Sequence, residues 1–342
     1  MKTWLRRIAL ALLILVIAAV VAGSAYERIG RRAARRDHPP RGTLVDVGGR
    51  RLQLDCRGTG TPTVVLESGL DINGSLAWGT VHDSLAATTR TCAYSRAGIV
   101  WSDPRHDPFT ASGVAADLHA ARQAAGERTP MVMVGHSLRG PLILTYTGRF
   151  PDEVAGLVMV DASHPDQEER LKAFMPEGAI PAMTTMKVGA ALSWTGLVRL
   201  LTRGSQEPSA QPEADRRAMA SYASTSLGGA LRELEGLEPV LREAGQYRQL
   251  GDRPLVVLTA MKPLSEAERA GAGMSEAQAV GMKQAWLAMQ REQATWSSRS
   301  RHEVLDDASH YVQFDRPDVV IRAVRDVVTE VRSTGVGSGA VR

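Results

Sequence analysis

Residues 131–140 read Met-Val-Met-Val-Gly-His-Ser-Leu-Arg-Gly, an apolar run that breaks into a glycine-flanked serine. The run from Met131 to Val134 is short and continuously apolar, which predicts a buried parallel strand. The stretch from Pro141 to Phe150 predicts a helix, because proline is tolerated in a first helical turn. Ser137 therefore falls on a sharp, exposed strand-to-helix turn. We interpret it as a candidate nucleophile, since a weakly nucleophilic hydroxyl must be accessible to an activating histidine.

This segment resembles the nucleophile elbow of the alpha/beta-hydrolase superfamily. The resemblance implies an α/β fold, namely a mostly parallel eight-stranded sheet with helices on both faces and a helical cap. Relatives usually carry glycine two residues after the serine, but this chain has Arg139 there and returns to glycine at Gly140. We therefore expect the Arg139 side chain to crowd the preceding strand or to turn outward. On this interpretation, replacing Arg139 by glycine would relax the turn.

A serine nucleophile needs a base, and the family places its histidine in the loop after the last strand. The sequence Asp306-Asp307-Ala308-Ser309-His310 follows the strand-like stretch from His302 to Leu305 and precedes a predicted helix from Asp318 to Val331. The other histidines lie in the N-terminal tail, in predicted helices, in a proline-rich loop or beside other motifs. We select His310 as the candidate base.

The third catalytic residue must accept the second imidazole N–H. Family members place this carboxylate after the sixth or the seventh strand. The sixth predicted strand, Val154 to Val160, ends directly at Asp161. The seventh, Leu255 to Thr259, is followed by no aspartate before Asp306. Asp161 is therefore the candidate acid.

Two other carboxylates stay open as alternatives. Asp166 follows the sixth strand closely, and Glu266 follows the seventh. The chain order Ser137, Asp161, His310 is the serine, acid, histidine order that the resemblance implies.

Acyl transfer also needs hydrogen-bond donors for the developing oxyanion. The resemblance implies that one donor is the backbone N–H of Leu138, the residue after the nucleophile. The second should come from the loop after the third predicted strand, Thr63 to Glu67. Ser68-Gly69 stands there where many relatives have His-Gly, which favours the N–H of Leu70.

The two cysteines fall on predicted strands that are neighbours in the family topology. An opening hairpin is predicted from Thr43 to Val47 and from Arg51 to Cys56, and a fourth strand from Thr91 to Tyr94. The resemblance thus implies a disulfide between Cys56 and Cys92, which favours an oxidising compartment. Two buried free thiols are the alternative.

A chain of 342 residues accommodates one catalytic domain with additions. Leucines between positions 192 and 201 predict one amphipathic helix of the cap, and those between 227 and 241 predict another. The expected parts are a signal peptide or membrane anchor (1–26), a basic linker (27–41), the hydrolase core (42–162 and 251–332), a helical cap (163–250) and a flexible tail (333–342).

The N-terminal segment is typical of a targeting sequence. Arg6-Arg7 precede an apolar run from Ile8 to Ala22, whose length lies between that of a signal peptide and that of a spanning anchor. Gly23-Ser24-Ala25 is a candidate cleavage site. The arginines from Arg28 to Arg41 favour retention, but they compete with the preceding basic residues for the cytoplasmic side, so charge leaves the orientation open. Together with the cysteines, the segment predicts a domain outside the cytoplasm, anchored to the membrane or secreted.

The net charge of +4 belongs to the N-terminal segment, because residues 1–41 carry nine basic and two acidic residues. The remainder is mildly acidic and contains no nucleic-acid motif, so we expect a membrane contact and no nucleic-acid partner. The sequence shows no metal-binding cluster and no phosphate-binding loop. We therefore predict neither a metal site nor a cofactor.

The resemblance implies a serine hydrolase of the esterase and lipase-like branch, acting on a small carboxylic ester or related acyl substrate through an acyl-enzyme. A serine at position 137 argues against the branches that use a carboxylate nucleophile. The alternative is a hydrolase fold that no longer catalyses and serves as a membrane-tethered binding domain. Arg139 is the main support for that alternative.

Overall fold

The structure is a computed structural model that describes residues 2–127, 130–175, 181–202 and 210–335. Strands within these ranges form one eight-stranded sheet in the order β1-β2-β4-β3-β5-β6-β7-β8. Strand β2 is antiparallel to β1 and β4, whereas the other neighbouring strands are parallel. The strands are β1 Thr43–Asp46, β2 Arg51–Arg57, β3 Thr63–Glu67, β4 Thr91–Ser95, β5 Met131–His136, β6 Val154–Val160, β7 Leu255–Ala260 and β8 Ser300–Leu305.

Helices precede the sheet, connect its strands and follow it. Short 3₁₀ turns, Ser193–Thr195 among them, lie between some of them. The α-helices are α1 Lys2–Asp37, α2 His82–Ala86, α3 Ala111–Ala124, α4 Arg139–Arg149, α5 Gln167–Leu171, α6 Pro181–Leu192, α7 Leu197–Leu201, α8 Glu213–Glu235, α9 Leu237–Ala244, α10 Glu266–Ala272, α11 Glu276–Gln293, α12 Val312–Asp315 and α13 Pro317–Ser333.

The sheet is buried on both faces, as the apolar run of β5 predicts. Val132 and Val134 pack in the same cluster as the valines of α13, on one side of the sheet. Met131 and Met133 point to the opposite side and pack with residues of α3 and α4. Successive side chains of a strand alternate between faces, so a strand covered on both faces must be apolar throughout. The expected α/β fold is confirmed.

The helices between β6 and β7 differ from the two continuous helices that the leucine spacing predicts. Gly196, with a φ of 76°, separates the 3₁₀ turn Ser193–Thr195 from α7. Gly236 separates α8 from α9, and a Cβ at that position would lie 2.7 Å from the carbonyl oxygen of Phe109. The prediction of two unbroken helices was wrong, because a left-handed residue and a close backbone approach interrupt the periodicity.

Helix α1 continues through the expected basic linker as far as Asp37. Glu27 is buried within its second half and accepts hydrogen bonds from Arg31 and from Arg199 of α7. The first half is apolar and exposed, and α1 is long and apolar enough to cross a membrane. At the other end of the chain, α13 ends at Ser333, and residues 336–342 of the expected tail lie outside the described residues.

The structure contains the disulfide between Cys56 and Cys92. The two residues are direct partners in the antiparallel pairing of β2 with β4. The bond therefore fastens the opening hairpin to the parallel part of the sheet.

Replacing both cysteines by alanine is expected to lower the free energy of unfolding by about 2–4 kcal/mol, because the bridge closes a loop between residues 36 positions apart. Denaturant unfolding without reductant measures this difference. The parent protein after reduction should match the variant. An unchanged midpoint in the variant, or two free thiols by peptide mapping of exported protein, would contradict the prediction.

Candidate active site

Ser137 lies on the turn between β5 and α4 and adopts a left-handed backbone with a φ of 58°. Its N–H donates to the carbonyl of Val160 at 3.1 Å. Its own carbonyl accepts from the N–H of Gly140 at 3.1 Å and from that of Ser163 at 2.8 Å. These bonds hold a conformation that non-glycine residues rarely adopt. The serine side chain stays accessible at the carboxyl ends of the parallel strands.

Two glycines allow the close packing around this turn. A Cβ at Gly135 would lie 2.9 Å from the carbonyl oxygen of Arg139, and a Cβ at Gly140 would lie 2.7 Å from the Cβ of Ala162. The first residue of α4 thus comes closest to β5, and the second comes closest to Ala162 in the segment after β6. The close contact with the segment after β6 falls on Gly140, three residues after the serine, so Arg139 does not have to be small.

The structure brings Ser137, His310 and Asp161 together. The Oγ of Ser137 lies 2.8 Å from Nε2 of His310, and Nδ1 of His310 lies 2.6 Å from Oδ2 of Asp161. A carboxylate at Nδ1 fixes the tautomer in which Nδ1 carries the proton, so Nε2 can accept from the serine hydroxyl. The His310 side chain is 44% exposed, whereas that of Asp161 is 3% exposed. A substrate can therefore reach the serine and the histidine while the carboxylate is shielded.

Asp161 is held by donors on two further elements. Its Oδ1 accepts from the backbone N–H of Ala260 at the end of β7, at 2.9 Å, and from Nε1–H of Trp286 on α11, at 2.8 Å. Trp286 is a partner that sequence reasoning missed. No local pattern relates it to Asp161, from which it is separated by 125 residues.

The two alternative carboxylates lie elsewhere. Asp166 accepts from Arg248 at 2.9 Å and from Arg170 at 3.2 Å. Glu266 is the first residue of α10 and is exposed. Among these carboxylates, only Asp161 lies within hydrogen-bond distance of His310.

His136, the last residue of β5, supports the loop that carries His310. Its Nε2 lies 2.8 Å from the backbone carbonyl of His310. Burial, together with the neighbouring imidazole of His310, lowers the pKa of His136 from 6.5 to about 3. His136 is therefore neutral at physiological pH, and because a carbonyl only accepts, its Nε2 carries the proton. No local sequence pattern predicts this role for His136, although it directly precedes the serine.

Arg139 is fully buried, and the expectation that it crowds the strand or turns outward was wrong. Its Nη2 donates to Glu233 of α8. Arg96, in the loop after β4, donates through Nε to the same glutamate at 2.8 Å and through Nη1 to Glu67, at the end of β3, at 2.6 Å. We call these four residues, Glu67, Arg96, Arg139 and Glu233, the buried charge cluster. Two positive and two negative side chains compensate one another.

The charges of this cluster set the ionisation of Glu233. Burial alone would raise the pKa of its carboxyl, but the charges of Arg139 and Arg96 and their hydrogen bonds hold that pKa below 4.5. Glu233 is thus ionised although it is buried. Such an arrangement is stable only while each charge keeps its partners.

The same two arginines fix the loop after β3. The carbonyl of Ser68 accepts from Nε of Arg139 at 2.7 Å and from Nη1 of Arg96 at 2.9 Å. The carbonyl of Gly69 accepts from Nη2 of Arg139 at 3.0 Å and from Nη2 of Arg96 at 2.9 Å. In a trans peptide the N–H points away from the C=O. The N–H of Leu70, which shares a peptide with the Gly69 carbonyl, is therefore directed away from both arginines.

This loop lies directly beside the serine. A Cβ at Gly69 would lie 2.7 Å from Nδ1 of His136 and 3.4 Å from Cβ of Ser137. Within the described chain, neither the N–H of Leu70 nor that of Leu138 has a hydrogen-bond partner. Their role as oxyanion donors stays a prediction.

Apart from the group that contains the disulfide, one cluster in the described part of the chain has metal-ligand chemistry, but its carboxylates are already engaged. Ligand atoms of His164, Asp166 and Glu292 lie within 4.8 Å of one another. Arg170 bridges the two carboxylates, at 3.2 Å from Asp166 and 2.7 Å from Glu292, and Arg248 contacts both as well. Because two guanidinium groups neutralise the site, we assign no metal to it.

Comparison with known proteins identifies the fold. A family described as alpha/beta hydrolase fold matches residues 62–183. The structure is similar to a thermophilic esterase from Thermogutta terrifontis, with a TM-score of 0.55, 17% identity, and coverage of 85% of this chain and 98% of that one. It is also similar to an enol-lactonase from Burkholderia xenovorans, with a TM-score of 0.58, 18% identity, and coverage of 84% and 100%. The chain has the alpha/beta-hydrolase fold.

Among curated sequences, the chain is 25% identical over 310 residues to a protein named probable transporter efuK from Hormonema carpetanum. That match covers 84% of this chain but 42% of the relative. A match to the uncharacterized protein YbdG of Bacillus subtilis, at 24% identity, covers 47% of this chain and 49% of that protein. The chain thus spans less than half of the length of these two relatives.

Replacing Arg139 by methionine is expected to lower the free energy of unfolding by about 3–5 kcal/mol, because Glu233 would lose one of its two buried partners. Combining this change with Glu233→Gln should recover part of the loss, since no unpaired carboxylate remains. Denaturant unfolding measures both variants.

Arg217→Met serves as the matched control, because Arg217 is 62% exposed and its ion pair among the described residues is with Glu213 of its own helix. Its effect should stay within about 0.5 kcal/mol. A destabilisation by Arg139→Met no larger than that of Arg217→Met would contradict the role of the buried charge cluster.

His136 should make the protein less stable in mild acid. Below pH 6.5 the unfolded chain binds a proton at this histidine that the folded protein, with a pKa of about 3, excludes. The free energy of unfolding should therefore have its full value above about pH 6.5 and should decrease as the pH falls. At pH 5 it should be lower by about 2 kcal/mol.

His136→Gln keeps a nitrogen donor at the same reach and does not titrate. Denaturant unfolding at pH 7.5 and at pH 5 should show a loss in the parent that exceeds the loss in this variant by about 2 kcal/mol. His164, whose pKa is also lowered by burial, is present in both proteins and cancels from the comparison. Equal losses in the two proteins would contradict the prediction.

Proposed function

We propose that this protein is a serine hydrolase that cleaves a carboxylic ester, or a related acyl substrate, through an acyl-enzyme. The observation that carries the proposal is the continuous chain of hydrogen bonds from Ser137 through His310 to Asp161, at 2.8 Å and 2.6 Å. A serine, an imidazole and a buried carboxylate in this relation form a nucleophile with its base and the group that orients the base.

In the proposed first step, Nε2 of His310 removes the proton of Ser137 as Oγ attacks the substrate carbonyl. Asp161 keeps the imidazole in the required tautomer and stabilises the imidazolium that forms. The two donors from Ala260 and Trp286 bind the other carboxylate oxygen, so that Oδ2 remains directed at His310. His310 then protonates the leaving alkoxide, which departs as the alcohol.

The tetrahedral intermediate requires donors for its oxyanion. The proposed donors are the backbone N–H groups of Leu138 and Leu70. Leu138 directly precedes α4, and Leu70 belongs to the loop whose carbonyls Arg96 and Arg139 fix. The arginines act here as positioning residues, because they touch the loop and not the substrate.

Hydrolysis of the acyl-enzyme completes the cycle. His310 activates a water molecule, which attacks the ester carbonyl formed with Ser137, and the released serine oxygen recovers its proton from the imidazolium. The products are a carboxylic acid and the regenerated serine. The groups that this cycle uses are the side chains of Ser137, His310 and Asp161, the two backbone N–H donors and water.

The similar structures differ in the substrates that their descriptions name. One neighbour is described as an esterase, another as an enol-lactonase, and a third as an enzyme degrading N-acyl homoserine lactones. These descriptions name esters and lactones, and a lactone is a cyclic ester. The choice of an ester substrate in this proposal follows these descriptions, because the arrangement of Ser137, His310 and Asp161 serves ester and amide cleavage alike.

The proposal also includes attachment to a membrane, with the catalytic region outside the cytoplasm. The apolar first half of α1 supports an anchor or a signal segment. The disulfide between Cys56 and Cys92 supports an oxidising compartment. The membrane and a small ester or acyl compound are thus the proposed partners.

The alternative of a catalytically silent binding domain has lost its main support. It rested on Arg139, which fits into the buried charge cluster without displacing Ser137 from His310. Labelling by a fluorophosphonate probe separates the two functions, because only an activated serine reacts.

Intact-protein mass spectrometry should find one fluorophosphonate adduct on the parent and none on Ser137→Ala. Hydrolysis of short p-nitrophenyl esters by the variant should fall below about a hundredth of the parent rate, because loss of a nucleophile costs several orders of magnitude. An unlabelled parent with a native thermal transition would support the silent binding domain instead.

The same assay ranks the carboxylates. Asp161→Asn should lower kcat by about 10³–10⁴-fold, since the amide favours the wrong tautomer of His310. Glu266→Gln is the matched control and should keep near-parent activity, because this side chain is exposed on α10. The reverse ranking would remove Asp161 from the proposed mechanism.

A further inference from the structure

Helix α7 presents its apolar side to solvent and its charged side to the protein. Leu197, Leu200 and Leu201 share one side of the helix and are 43%, 57% and 71% exposed. Trp194, in the preceding 3₁₀ turn, is 53% exposed. A surface helix of a water-soluble domain normally has the opposite arrangement. We call these four residues the α7 apolar patch.

The charged residue of α7 is fixed inside the protein. Arg199 donates through Nε to the buried Glu27 of α1 at 2.8 Å. It also donates through Nη1 to the carbonyl of Ser221 at 3.0 Å and through Nη2 to Ser224 at 3.0 Å. These contacts with α1 and α8 hold the rotation of α7, so the leucines cannot turn inward while Arg199 keeps its partners.

Helix α1 leaves the protein beside this patch. A Cβ at Gly23 would lie 2.1 Å from the carbonyl oxygen of Thr195, and a Cβ at Gly196 would lie 2.5 Å from the carbonyl oxygen of Gly23. The two backbones are therefore in contact at this level. From Ala22 back to Ile8, the helix is apolar and largely exposed.

The length of the apolar stretch of α1 determines how far a surrounding membrane would extend along the helix toward α7. The stretch from Ile8 to Ala22 spans about 22 Å at about 1.5 Å per residue, whereas the hydrocarbon core of a bilayer is about 30 Å thick. The next uncharged turn, Gly23 to Tyr26, supplies most of the difference. This turn is the part of α1 that touches Thr195 and Gly196. A membrane that accommodates the helix therefore reaches the level of α7.

We propose that the α7 apolar patch inserts into the lipid surface beside α1, so that the protein contacts the membrane through two segments. This inference rests on the proposed membrane attachment of α1. Tryptophan at the headgroup level and leucines just below it match the composition of interfacial segments. The occupant of the patch is thus the bilayer itself, and the insertion fixes the orientation of the domain relative to the membrane plane.

Site-specific labelling of the full chain tests the proposal. Single cysteines at positions 200, 14 and 304 (Leu200→Cys, Ile14→Cys and Val304→Cys) each carry an environment-sensitive fluorophore, because both native cysteines are in the disulfide. The proteins are reconstituted in phosphatidylcholine vesicles with and without brominated acyl chains. Ile14 reports on the anchor. Val304 is the matched control, because it is apolar, 41% exposed and located on β8, at the opposite sheet edge from β1.

Insertion to a depth of about 5–10 Å predicts that brominated lipid quenches the label at position 200 on the order of threefold more than the label at position 304. Equal quenching at 200 and 304, with strong quenching at 14, would overturn the patch insertion and leave the anchor intact. Absence of quenching at 14 would overturn both. A third outcome is a fluorophore at position 200 that reports a shielded environment without quenching, together with a disulfide between two copies of the unlabelled Leu200→Cys protein. That outcome would show that a second copy covers the patch, and it would overturn the proposal.

Discussion

The left-handed backbone of Ser137 is the constraint around which the site is arranged. A non-glycine residue in this region costs about 1–3 kcal/mol and persists only where the surroundings determine it. Here β6 accepts the N–H of Ser137, and the segment after β6 donates to its carbonyl through Ser163. Because Asp161 lies in that same segment, the contacts that hold the turn also place the carboxylate opposite His310. Hydrogen bonds with β6, with the segment after it and with the start of α4 together stabilise the strained backbone of Ser137.

The buried charge cluster connects this turn to the rest of the protein. Glu67 ends β3, Arg96 follows β4, Arg139 begins α4 and Glu233 belongs to α8, so four separate segments meet in one compensated set of charges. Desolvating charges is unfavourable, and the cluster is tolerated because each member has a close partner of opposite sign. The cluster also determines the direction of the peptide groups in the loop beside Ser137. Two guanidinium groups bind the carbonyls of the loop beside Ser137, which leaves the amide hydrogens of that loop facing the other way.

The second half of α1 belongs to the folded domain, although its composition is that of a basic linker. Glu27 is enclosed by Arg31, Arg199 and Ser224, which ties α1 to α7 and α8. An anchor joined through a flexible linker would leave the domain free to tumble. In the proposed membrane attachment, a continuous helix would transmit the direction of the anchor to the domain and would give the exposed leucines of α7 a defined position relative to it.

The sequence by itself determined the features that lie within one short stretch of chain or that follow from the order of the strands along it. The apolar run before Ser137, the carboxylate at the end of β6 and a histidine after β8 could be selected because this fold places strand ends at one edge of the sheet. Only the tertiary structure decided the positions of Arg139, His136 and Trp286. Each of these side chains acts through a partner more than 90 residues away. Considered alone, an arginine two residues after Ser137 predicts a strained turn. In the structure, Glu233 compensates the charge of Arg139. No local pattern reveals which distant carboxylate will be buried beside this arginine.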